Sequence, residues 1–167
     1  TILGIAKDSF ESIDSKLSKG IAADLLITSA GVSKGDYDIV KDVLTQRGNI
    51  TFWSVRMRPA KPIAFGVLVG TNNRDMPLIG LPGNPVSAMV AFEQLARPAI
   101  LKMMGKTNLI KPYVYAFLED PIINTDGRRV YARAIVNEKN GKYYAKLTGS
   151  QGSNVLTSMT KANGLAI

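Results

Sequence analysis

The sequence contains no cysteine and no histidine. The first absence excludes disulfides and thiolate metal sites; the second excludes imidazole bases, Ser-His triads and histidine-ligated zinc. Also lacking are an apolar run long enough to cross a bilayer, a charged-then-apolar leader ending in small residues, and any low-complexity tract. A soluble, cytoplasmic protein is the expectation. The 46% hydrophobic content over 167 residues is enough for one core, or for one core with a small appended domain. Chemistry is left to carboxylates, lysine, arginine, hydroxyls, backbone amides or a hard cation held by oxygen.

A formal net charge of +8 favours an anionic partner, because summed positive potential attracts phosphate and nucleic acid. The basic residues are dispersed, without a long block and without an aromatic-plus-basic stripe, so nucleic-acid binding is a minor reading.

Hydrophobic patterning divides the chain. Residues 1–6 (TILGIA) suit a buried strand, and Asp8 or Ser9 offers an N-cap for a helix running to about Lys19. Residues 24–28 read as a second buried strand, 29–35 as a Gly/Ser loop, and 36–46 as a helix with Ile39, Val43 and Leu44 inward. A third strand is expected at 51–57, two more at 62–69 and 78–81 around the polar turn 71–75, and a long helix at 85–104. This alternation predicts a three-layer α/β/α domain over residues 1–108 with a mostly parallel sheet. Residues 109–167 are β-like, with strands at 113–118, 130–137 and 143–147, a short helix at 153–161 and a last strand. Asn140-Gly141 is a type I′ hairpin signal. Such a small sheet is marginal alone and is expected to pack on the α/β domain or to be incomplete.

Three polar loops follow predicted strands, at the sheet edge where open α/β folds bind ligands. The first, Ser29-Ala30-Gly31-Val32-Ser33-Lys34-Gly35-Asp36, offers glycines for close backbone approach and amides for a phosphate; a plain strand-to-helix turn explains it as well. The second, from Arg56 to Pro62, sets three cations among two prolines that stiffen the backbone. Arg58 can grip an oxyanion with a bidentate fork and Lys61 as a point charge, although a solvated turn is an equal reading. The third, GLPGNPVSA, gives Asn84 as N-cap and Pro85 as first helical residue, and its amides can also bind an anion. Asp8, Asp36 and Asp38 lie near strand-to-helix junctions; each alone suits helix capping, and together they can share a Mg²⁺ with a phosphate.

Taken in order, ITSAGVSKGDYDIVK, RPAKP and GLPGNPVSA resemble the molybdopterin-binding domain of the molybdopterin molybdenumtransferase family of MoeA and gephyrin type. That family writes these segments as TSGGVS-x-G-x-x-D, KPGKP and LPGNPVSA. GRRVYARAIV and GSQGSNVLTSMTKANGLAI resemble its C-terminal β-barrel domain, so the likeness covers nearly the whole chain.

The resemblance implies molybdenum cofactor biosynthesis: adenylylated molybdopterin and molybdate as substrates, Mg²⁺ as cofactor, and adenylate hydrolysis accompanying molybdate insertion. Its site residues fall on Asp8, Asp38, Arg58 and Lys61 as catalytic groups, with Asp8 and Asp38 on the metal. Ser29, Gly31, Ser33, Gly35, Asp36, Pro82, Gly83, Asn84, Pro85, Ser87, Arg133 and Ser153 fall to binding. It further implies a homodimer of the full-length protein, a molybdopterin adenylyltransferase as partner, and no nucleic-acid or membrane partner. Thr1 aligns inside the family domain, so an opening strand and helix and further N-terminal domains are expected to be missing, the barrel to be truncated, and the isolated chain to catalyse little. The alternatives are a non-catalytic scaffold or dimerisation module of gephyrin type, and a molybdopterin adenylyltransferase, against which the β unit argues. Ala30 and Ala60 stand where the family favours glycine, adding a methyl where the backbone needs positive φ or close approach. Ser54 stands where some relatives carry lysine.

Overall fold

The computed structural model describes residues 1–32, 39–70 and 75–167. These form two compact units, one of Thr1–Val55 and Pro62–Gly83, the other of Arg56–Lys61 and Asn84–Ile167. Ser33, Lys34, Gly35, Asp36 and Asp38 of the first loop, and most of the polar turn at 71–75, lie outside the described residues.

In the first unit, residues 1–6 form no strand. Ile2 and Ile5 are each 96% exposed and Gly4 has φ +74°. A short apolar run becomes a strand only where a neighbour supplies the ladder, and a left-handed residue in its middle breaks the extended repeat. Helix α1 (Phe10–Gly20) then starts at Ser9, whose hydroxyl accepts from Ser12 N at 3.3 Å. Ile13 and Leu17, one turn apart, are buried, while Glu11 in the first turn and Lys19 in the last suit the helix dipole.

Strand β1 (Leu26–Ser29) leads to helix α2 (Ile39–Arg47), followed by β2 (Gly48–Ser54), β3 (Met57–Arg58), β4 (Pro62–Leu68) and β5 (Met76–Leu81). The sheet of this unit has the order β1-β5-β4-β2. The α/β class holds, with one correction: β1 and β5 are parallel, but β5 with β4 and β4 with β2 are antiparallel, so the sheet is not mostly parallel. Connection length is the reason. The short links at 55–61 and 69–75 can only turn the chain back beside itself, whereas parallel neighbours need a crossover of about a dozen residues or more. Ile13, Leu17, Val43, Leu44, Leu68, Met76 and Leu78 close into one buried cluster on this sheet. Ile39, at the edge of the described residues, does not join it and is 40% exposed.

In the second unit, α3 (Pro85–Ala91) continues through a π-helical turn, Phe92–Ala96, into α4 (Arg97–Met103). Arg97 N donates to Phe92 O, five residues back. Pro98 explains the widened turn: in a regular α-helix its ring would clash with the carbonyl four residues earlier and leave that carbonyl without a donor. Strands β6 (Ala116–Leu118), β7 (Arg129–Val130), β8 (Ala132–Lys139) and β9 (Lys142–Leu147), helix α5 (Thr157–Lys161) and β10 (Gly164–Ala166) complete the chain. Asn140 and Gly141 turn β8 into β9 with φ +54° and +72°, as a type I′ turn requires. Among the described residues, β10-β8-β9-β6 is an open sheet rather than a closed barrel, and β3 pairs with β7. The outer strands β6 and β10 are only three residues long each, too short to carry a closing ladder. No helix among the described residues is long and apolar enough to cross a membrane.

Two side-chain amides act as substitute backbone along β8. Asn163 Oδ1 accepts from Val136 N at 2.7 Å while its Nδ2 donates to Val136 O at 2.9 Å. Gln151 does the same at Arg133, accepting from N at 2.7 Å and donating to O at 3.1 Å. A planar amide supplies the donor and acceptor that a neighbouring strand would otherwise offer. Asn163→Ala is expected to lower stability by about 1 kcal/mol in denaturant titration, and an unmoved midpoint would contradict this role.

Candidate functional site

In the first unit, the loop after β1 lies against the chain end of β5. Ala30 N donates to Leu81 O at 3.0 Å and Ser29 Oγ to Pro82 O at 3.4 Å. A Cβ on Gly83 would sit 3.3 Å from Ala30 Cβ. Ser29, Pro82 and Gly83, singled out in two separate loops, are thereby brought together, and Gly31 follows Ala30 in the chain. Gly31 has φ +76°, and a Cβ there would come within 2.2 Å of Val40 Cγ1, so both conformation and space require glycine. Asp8 is exposed, just before the Ser9 cap of α1.

The basic turn belongs to the second unit. Its backbone is fixed by the parallel β3–β7 ladder, in which Arg129 N donates to Arg56 O at 2.8 Å and Tyr131 N to Arg58 O at 2.9 Å. Ala60 closes the turn at φ +77° and is 4% exposed; Ala30 in the first unit stands at φ +92°. Both therefore adopt the left-handed conformation that an alanine occupies only at a cost. Lys61 is exposed and has no ion pair among the described residues. Arg58 is half-exposed, donating through Nη2 to Ile123 O, with Nη1 3.8 Å from Asp126 Oδ2.

At the start of α3, Asn84 Oδ1 accepts from Ser87 N at 3.2 Å, and Asn84 O accepts from Ala88 N at 2.8 Å. Pro85 has no amide hydrogen, Val86 is 0% exposed, and the amides of Ser87 and Ala88 are bonded to Asn84, so the first four positions of this described helix offer a ligand no exposed amide. Of the Gly83-to-Ser87 amides that the sequence offered to an anion, capping takes that of Ser87 and burial closes off that of Val86. Arg133 is 1% exposed, and its guanidinium donates to Ser158 Oγ at 3.0 Å, Gly152 O at 3.1 Å and, at 3.5 Å, Tyr131 O. Removal from water lowers its pKa from the ordinary arginine value. Ser153, next to Gly152, is exposed.

Sequence reasoning counted Arg56 among the three cations of the basic loop without giving it a contact, and gave no role to Asp126 or Arg128. Arg56 Nη2 donates to Gly127 O at 3.1 Å, and Asp126 accepts from Arg128 N at 3.1 Å and Arg128 Nε at 2.8 Å. The Arg128 side chain, then its backbone amide, hold the Asp126 carboxyl down to about 2, with Arg58 adding a weaker pull. The signal was in the sequence as Asp126-Gly127-Arg128-Arg129, an acidic turn followed by two arginines.

Residues 1–102 match the family described as "Probable molybdopterin binding domain", and residues 115–167 the "MoeA C-terminal region (domain IV)". The molybdopterin molybdenumtransferase of Haemophilus influenzae is 39% identical over 144 residues, covering 84% of this chain and 34% of the relative. That of Nostoc sp. is 34% identical over 171 residues, covering 99% of this chain and 38% of the relative. Among solved structures, a molybdopterin biosynthesis MoeA protein from Pyrococcus horikosii is similar with a TM-score of 0.74 and 27% identity, over 98% of this chain and 37% of that one. The chain thus spans little more than a third of the length of the relatives it matches.

Two outcomes test the geometry of the basic turn. Ala60→Gly should leave stability within about 1 kcal/mol of the parent or raise it, because relief of the left-handed strain offsets the added freedom of the unfolded chain. Ala60→Val should cost more than about 2 kcal/mol by the same reasoning; the reverse order in chemical denaturation would refute the strain. The depressed Asp126 pKa contributes stability that is present above the ordinary 3.8 and lost as pH falls through about 2. Melting temperatures of the parent and Asp126→Asn should therefore converge at the acid end of a pH 5-to-2 series, and a constant gap would contradict the ion pairing.

Proposed function

The chain belongs to the molybdopterin-binding domain family, of MoeA type, and from that premise we propose that it binds adenylylated molybdopterin and takes part in molybdate insertion with hydrolysis of the adenylate. The observation that carries the reading is the basic turn: a cation pinned by its own backbone at Arg58, beside the exposed Lys61. Phosphate and molybdate carry their charge on oxygens spread around a tetrahedral centre. A turn whose backbone is fixed before the ligand arrives loses little entropy in meeting them, and fixed cations stabilise developing negative charge without a nucleophile. A chain without histidine or cysteine can serve such a reaction.

The roles follow from the side chains. Lys61 offers a solvated point charge and Arg58 a planar fork. In the first unit, Ser29, Gly31 and Gly83 give a surface with little side-chain bulk against which a flat ring system can lie. Buried Arg133 acts in this reading by holding the Gly152–Ser153 backbone, leaving the Ser153 hydroxyl for the ligand. Mg²⁺ is part of the proposal. No group of three or more carboxylates able to hold a metal gathers among the described residues. Asp8 and Asp38 would hold the ion together with phosphate oxygens and water, and it would supply charge neutralisation. A cytoplasmic location, a homodimeric full-length protein and a partner that adenylylates molybdopterin complete the proposal on kinship alone.

Calorimetry with adenylylated molybdopterin is the test. Lys61→Ala should weaken binding about tenfold, the equivalent of roughly 1.4 kcal/mol for one lost charge-assisted contact. Affinity equal to that of the parent would overturn the assignment of the basic turn.

A further inference from the structure

Four arginines, Arg56, Arg58, Arg128 and Arg129, are joined to one short stretch of the second unit, residues 123–130, and the acid among them is Asp126. The four are not equivalent. Arg56 is turned to Gly127 O, and Arg129 sits in the β3–β7 ladder. Arg128 clamps Asp126, with its backbone N on Oδ1 at 3.1 Å and its Nε on Oδ2 at 2.8 Å, joined there by Nη2. Arg58 meets the same carboxylate only at 3.8 Å, beyond hydrogen-bond reach, while one of its five N–H groups goes to Ile123 O.

Arg58 is therefore held in place but not saturated. Its position is set by backbone ladder and carbonyl, and most of its N–H donors have no partner among the described residues. Its charge is partly compensated by a carboxylate that Arg128 keeps from coming closer. Both partners are about a third exposed (37% and 35%), so the pair is the kind that water and other anions exchange readily. An oxyanion arriving at Arg58 gains those donors and at the same time meets the negative charge of Asp126 across the guanidinium.

We propose that Asp126 is a resident counterion of Arg58, a carboxylate that opposes an incoming oxyanion, so that the 123–128 segment sets how tightly and how reversibly the basic turn binds. The inference rests on the reading that Arg58 meets an oxyanion. It adds a residue that keeps affinity down: a cation free of Asp126 would bind any phosphate more tightly, whereas a loosely compensated one favours ligands that make contacts elsewhere as well.

The test is a titration of the full chain with sodium molybdate and, separately, inorganic phosphate, at low ionic strength, for the parent, Asp126→Asn, Arg58→Ala and the double variant. Asparagine keeps the acceptor that Arg128 N uses, and Asp126→Ser, which also accepts there, serves as the second variant if Asp126→Asn folds poorly. Removing the carboxylate should tighten binding about threefold, as expected for a partly exposed charge pair, and Arg58→Ala should abolish that gain. Weaker or unchanged binding in both Asp126 variants, with Arg58→Ala still weakening it, overturns the counterion while sparing the basic turn. A gain that persists in the double variant overturns the coupling to Arg58. Unaltered affinity in Arg58→Ala alone brings down the reading of Arg58 and the inference with it.

Discussion

Met57 and Arg58 depart from the path that links β2 to β4 and pair instead, in parallel, with Arg129 and Val130, more than seventy residues further along. That two-residue ladder fixes the backbone of the basic turn from one side, and the left-handed Ala60 bends the chain away after it. With the backbone decided, Arg58 and Lys61 have little freedom beyond their own rotamers. Long cationic side chains on a mobile loop would lose much more entropy on meeting an anion.

Positive charge is then distributed by solvation rather than by number. Arg133 is sealed from water, its donors spent on Ser158, Gly152 and Tyr131, and it works as an internal brace. Arg128 is spent on Asp126. Arg58 is partly compensated and Lys61 is open, so the net charge of +8 overstates what a ligand can reach.

Much of this was legible beforehand because the relevant signals are local. Ser9 and Asn84 cap the helices where a short polar side chain preceded an apolar stripe, and Asn140-Gly141 made its hairpin. The left-handed backbone at Ala30 and Ala60 was readable from the glycine that the resembling family prefers there. Non-local facts were not readable. Residues 1–6 had the composition of a strand but no ladder partner among the described residues, and the antiparallel ladders followed from link lengths that alternation had hidden. The parallel β3–β7 pair joins segments that share no periodic signal. The amides from Gly83 to Ser87 were assigned to a ligand before it was clear that Asn84 uses that of Ser87 and that Val86 is buried. Asp38 and the rest of the first loop after Val32 lie outside the described residues.

Backbone amide shifts, followed by NMR as the full chain is titrated with adenylylated molybdopterin, test most directly whether a fixed basic turn receives the ligand. The largest changes should fall on Arg58, Ala60 and Lys61, with the ladder amides of Arg129 and Tyr131 moving little because they are already bonded. Binding that leaves residues 58–61 unshifted while perturbing other parts of the chain would contradict it.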